Sequence, residues 1–184
     1  MSTATVTPSG IAPSLRRLYF VRFAFALIWA ALVVATASRL NPVSVTLLVL
    51  YPVFDVAAAI VDARSAKDPK PLIGLFVNMA ISLLAGVGLA LAASSGVPGI
   101  LRVWGIWAIV SGLIQLTVAL VRRRVGGQWP MIASGAISAV AGASFILQAA
   151  QPNGSLIALA GYATLGGVFF LISAIRIGRA TTKD

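Results

Sequence analysis

The 184-residue chain contains no cysteine and no histidine. Without cysteine there is no disulfide, thiolate nucleophile, iron–sulfur cluster or cysteine-type zinc site. Without histidine there is no neutral-pH proton shuttle, no Ser-His-Asp triad, no histidine-ligated metal and no axial haem histidine. Charge is scarce as well: 10% of the residues are charged, 14 of them basic and only 4 acidic. An average soluble domain carries about 25% charged residues. So few charges cannot cover a soluble protein of this size, and with 59% apolar residues and a mean hydropathy of +0.99 most of the chain is expected to have lipid as its solvent. Six spans of about 20 residues would consume most of the length and leave no room for a large catalytic domain outside the bilayer.

What is present is a series of apolar runs. Six candidates can be marked, Leu18 to Ser38, Val43 to Val61, Leu72 to Ala93, Gly99 to Val121, Trp129 to Ala149 and Ser155 to Ile175. The expected architecture is an all-α integral membrane protein in which six transmembrane helices form three tandem hairpins, 18–61, 72–121 and 129–175. Tails 1–17 and 176–184 flank this bundle of residues 18–175. The connections alternate in character. Arg39 to Pro42, Ser94 to Pro98 and Ala150 to Gly154 are short, nearly uncharged and rich in turn formers, whereas Asp62 to Pro71 and Arg122 to Gln128 are basic.

Sorting the basic residues by side orients the chain. Arg16, Arg17, Arg22, Arg64, Lys67, Lys70, Arg122 to Arg124, Arg176, Arg179 and Lys183 fall on one side, and only Arg39 and Arg102 on the other. The positive-inside rule then puts both termini in the cytoplasm. The same asymmetry explains the net charge of +10 without a nucleic-acid partner. Anionic lipid headgroups at the basic loops are the expected partners. Arg16, Arg17 and Arg22 ahead of an apolar run ending in Ala35-Thr36-Ala37 also fit a cleavable signal segment, but its removal would leave five spans and break the hairpin pairing.

Pro42, Pro98 and Pro152 in the outward turns recur 56 and then 54 residues apart, and Tyr51, Trp107 and Tyr162 follow them nine or ten residues later. Regular spacing of this kind is the mark of tandem helix-turn-helix units. Here the chain resembles the HdeD-like family of small bacterial membrane proteins, which are built from tandem hydrophobic repeats of unassigned biochemical function. The residues that carry the likeness are Gly161-Tyr162 and Gly166 through Ala174, with weaker counterparts at Val103 to Gln115 and Val43 to Ala63. The resemblance spans about Leu18 to Arg179. It implies six helices in an inner membrane and a setting of acid stress, and it supplies no catalytic residue.

Small residues are expected to hold such a bundle together, because helices in lipid gain little from burying apolar surface against each other. Ser134, Ser138 and Gly142 form one stripe, Gly135, Ala139 and Ala143 a second, and Ala108 with Gly112 and Ala163 with Gly167 form shorter versions. Packing within the chain is the preferred use and a homo-oligomer contact the other. The donors of Trp29 and Tyr51, near mid-membrane, need partners inside.

One constellation stands out by depth. Counted from the cytoplasmic end of each span, Arg22 lies four residues in, about 6 Å, and Asp55, Asn78 and Gln115 six residues in, about 9 Å. The expected contact is an Arg22–Asp55 ion pair flanked by the two amides, since a lone charge in lipid is costly. Pro52 cannot donate to the Leu48 carbonyl, so a kink with a free acceptor is expected beside this layer. The layer can serve as a structural tie or as a substrate or proton site.

Other chemistries fall away. Asp62 lies about 10 Å along the helix from Asp55, too far for an acid-protease dyad, and no GxxxxGK[ST] phosphate loop occurs. One carboxylate with two amides makes a poor metal site, so neither metal nor cofactor is expected. The functional expectation is a protein without enzymatic activity in a stress-linked structural or interaction role. The alternative is a small transporter or proton-coupled permeation protein that uses the polar layer.

Overall fold

In the computed structural model, residues 11–37, 39–65, 72–125 and 127–180 are described, and among them the chain is helical with no strand. Lys67, Lys70 and Lys183 lie outside the described residues. The helices are α1 (Ile11–Thr36), α2 (Pro42–Ser65), α3 (Leu72–Ala92), α4 (Gly96–Val121), α5 (Trp129–Gln148) and α6 (Ile157–Ala180). Short 3₁₀ turns occupy Ala93–Ser95 and Arg123–Val125. Five stretches are long and apolar enough to cross a membrane, Pro13–Thr36, Pro42–Ser65, Leu72–Val121, Trp129–Gln148 and Ile157–Arg179. These are the marks of a multi-pass membrane protein. The exterior agrees with an apolar solvent: Ile73, Leu84 and Val140 are 74%, 72% and 73% exposed.

The third stretch holds both α3 and α4. Its break is local: the 3₁₀ turn leads into Gly96, whose φ of 68° belongs to the left-handed region that glycine enters freely. The chain then doubles back, for Gly74 of α3 lies against Val118 of α4 and Gly88 against Val103. The turn into α2 is closed by a reciprocal cap. Asn41 Oδ1 accepts the Val43 and Ser44 amides at 2.9 and 3.0 Å, the Asn41 amide donates to Ser44 Oγ at 2.8 Å, and Pro42 takes the first helical position, where no donor is needed.

The six helices close a ring in which neighbours run antiparallel. The closest-packed interfaces join α4 to α5, α1 to α6 and α2 to α3, so they link one sequence hairpin to the next, while partners within a hairpin approach each other less closely. Small residues explain this phase. A methyl group on Gly105 would meet the Gly142 carbonyl at 2.6 Å, and one on Gly135 the Gly112 carbonyl at 2.6 Å, so α4 and α5 touch backbone to backbone. The stripe of Ser138 and Gly142 foreseen in the fifth span is therefore consumed within the chain. Gly167 seats α6 on Ala26 of α1, and Gly178 at the end of α6 meets Arg16 near the start of α1.

Two apolar clusters fill the interior at different heights. The larger, nearer the short turns, gathers Trp29, Leu48, Leu89, Ile100, Trp104 and Phe145 among others. The smaller, at the end that carries Arg16 and Arg179, holds Leu15, Tyr19, Met131, Phe170, Ala174 and Ile177. Polar side chains begin below the larger cluster and continue among the residues of the smaller one.

Candidate functional site

Four helices converge on Asp55. Arg22 of α1 donates from Nη2 to Oδ1; Asn78 and Ser82, one turn apart on α3, donate to Oδ2 at 2.6 and 2.9 Å. Trp107 of α4 completes the relay by donating from Nε1 to Ser82 Oγ at 3.0 Å. The ion pair is mostly sheltered, with side-chain exposures of 19% for Arg22 and 8% for Asp55. The Arg22 guanidinium also stands 4.5 Å over the Phe170 ring, a cation–π contact that brings α6 to the pair. Geometry thus brings Arg22, Asp55 and Asn78 into direct contact.

Gln115 lines the same cavity but does not join their hydrogen bonds. It donates from Nε2 to the Met131 carbonyl at 3.2 Å, tying α4 to α5. Depth along a helix gives a residue's height and says little about its azimuth, and Gln115 faces α5. Near Pro52 the free acceptor expected at Leu48 is not the one engaged: the Trp29 indole donates to the Leu47 carbonyl at 2.6 Å. Tyr51 packs edge-on against Phe25, Trp29, Trp104 and Trp107.

A second ion pair was not foreseen. Arg122 donates from Nη1 to Asp62 Oδ2 at 2.7 Å, with side-chain exposures of 6% and 9%. Of the three consecutive arginines read as a headgroup-binding loop, Arg122 turns inward and Arg123 and Arg124 stay exposed. The available signal was Asp62 at i+7 from Asp55, on the same face of α2. Ser82 was also missed, although it stands one turn from Asn78, as was the hydrogen bond of 2.9 Å from Tyr162 Oη on α6 to Ser138 Oγ on α5.

Both ion pairs border one cavity of about 100 Å³, to which all six helices contribute. A water molecule needs roughly 10–15 Å³ of such volume, so several fit. Tyr51 and Trp107 floor it toward the larger apolar cluster, and Asp62, Arg122 and Gln128 line its other end. Two cations face two anions, so the ionisable lining is neutral. Among the described residues no cluster of side chains suited to a metal ion occurs. The arrangement can hold a small polar guest by hydrogen bonds. No family model, curated protein or solved structure matches this chain.

Proposed function

We propose that the chain is a small transport or permeation protein whose substrate or proton occupies the cavity beside Asp55. The observation that carries this reading is the placement of the polar relay: instead of being packed dry, it borders a space large enough for several waters at the level where the ring is otherwise apolar. The wider setting we propose is six spans with both ends in the cytoplasm of a bacterium, an inner membrane, anionic lipid at Arg123, Arg124 and the other exposed basic residues, and no enzymatic activity. Antiparallel neighbours around the ring and Arg16 beside Gly178 support the even number of crossings. The HdeD-like resemblance belongs to this proposal and rests on Gly161 through Ala174.

The test is dissipation of a pH gradient in liposomes loaded with a pH-sensitive dye and clamped at zero potential. Wild-type protein should speed proton entry and Asp55→Asn should abolish the gain; entry unchanged by the substitution would remove the reading. The double variant Arg22→Gln with Asp55→Asn leaves no buried unpaired charge and serves as the folded comparison. A second reading, a structural tie in a stress-linked scaffold, is favoured by the saturation of both Asp55 oxygens. It expects loss of detergent stability in Asp55→Asn and no proton flux in the wild type.

A further inference from the structure

The ring has one loosely made joint. Neighbouring helices touch least between α5 and α6, and a second, small cavity of about 10 Å³ lies along that seam. Ser134, Ser138, Tyr162 and Gly166 line both this cavity and the central one, so the two adjoin through the seam. Its outer rim is apolar and open: Ile137 is 38% and Leu165 44% exposed. A methyl group on Gly166 would meet nothing within 4 Å, in contrast to the pressed glycines between α4 and α5. Among the described residues, the polar and ring contacts that bridge the two helices here are the Tyr162–Ser138 hydrogen bond and the edge contact of Tyr162 with Phe145, centroids 5.6 Å apart.

Inside, the polar lining sets the chemistry of the guest. Arg22 with Asp55 and Arg122 with Asp62 leave no net charge, so a charged head would be buried without a counterion. One donor stays unspent: Arg122 Nη2 is buried and has no hydrogen-bond partner among the described residues. A buried donor of this kind lowers its free energy by meeting an acceptor oxygen.

We propose that the cavity receives its guest sideways from the bilayer through the α5–α6 seam, and that this guest is a single-chain amphiphile with an uncharged head bearing hydroxyl or carbonyl oxygens. The head takes the ion-paired cavity, while the acyl chain lies between Ile137, Leu165 and Phe169. This names a substrate class for the transport reading and rests on the same cavity.

Trp107 lines the cavity, so tryptophan emission reports entry. The protein, carrying Trp129→Phe to remove the exposed indole, is placed in phosphatidylcholine vesicles and titrated with a monoacylglycerol brominated near the head end of its chain. Saturable quenching is expected in this background and with Gly161→Leu added, because Gly161 lines neither cavity; with Gly166→Leu added the saturable component should be lost. Equal quenching in all three, or equal loss with both leucines, would overturn the proposal. The same brominated chain on a phosphate head should give only the linear quenching of free partition, and saturation by it would overturn the uncharged-head assignment. Quenching without proton flux would keep the site and reject proton permeation through it, and flux without saturable quenching would keep proton permeation and reject the amphiphile site.

Discussion

At the scale of single residues the two ion pairs differ in what their loss would expose. Arg22 keeps some exposure and the Phe170 ring, whereas Arg122 is deeper and relies on Asp62. Breaking a buried pair by removing one partner costs about 3–5 kcal/mol, and removing both together costs far less. Asp62→Asn is therefore expected to unfold at lower SDS fraction in mixed micelles than Asp62→Asn with Arg122→Gln, by a difference of about 2 kcal/mol or more; a double variant no more stable than the single one would show that the pair is not coupled. Arg22, Asp55 and Asn78 were readable because a helix converts sequence position into height, and three polar side chains at one height in an apolar bundle have few other partners. Arg122 was unreadable for a physical reason. It follows the last residue of α4, where a side chain can turn either way, and its inward turn is decided by Asp62, 60 positions upstream.

Elements are held by what glycine leaves out. At Gly105, Gly112, Gly135 and Gly142 an added methyl would come within 2.5–2.8 Å of the facing helix, mostly backbone that cannot give way. Alanine at any of the four should push α4 from α5 and cost about 1–3 kcal/mol, the usual penalty of overpacking. At Gly161 and Gly166 the space is open, and alanine should be neutral or stabilise by up to about 1 kcal/mol through helix propensity. Thermal loss of monodisperse protein in detergent separates the two groups, and equal behaviour of all six variants would contradict this account of the α4–α5 contact. The runs and turn residues made the helices legible, including the break within Leu72–Val121, where Gly96 and Pro98 punctuate an unbroken apolar stretch. Which helices would pack most closely was less legible. Short loops point to hairpin partners, but the closest approach goes to the faces bare of side chains, and those faces join α4 to α5 and α1 to α6.

For the whole molecule the placement along the bundle axis matters most: the larger apolar cluster lies toward the short turns, and the polar cavity with its two ion pairs lies among Tyr19, Ala119, Met131 and Phe170 of the smaller cluster, toward the arginine-bearing end. The floor of Tyr51, Trp104 and Trp107 separates the cavity from the short-turn end, so water should reach it from the arginine-rich side alone. A chain without cysteine permits a clean measurement. Ser111 lines the cavity and Leu84, 72% exposed, faces outward. Each is replaced singly by cysteine, and the protein in vesicles of known orientation is treated with a charged, membrane-impermeant thiosulfonate. A thiol reacts as its thiolate, which needs water. Ser111→Cys should react when reagent is added on the arginine-rich face and stay inert from the opposite face, with Leu84→Cys inert from both. Failure of Ser111→Cys to react from either face, in protein that still folds, would mean a dry interior and would contradict a cavity built to hold a polar guest.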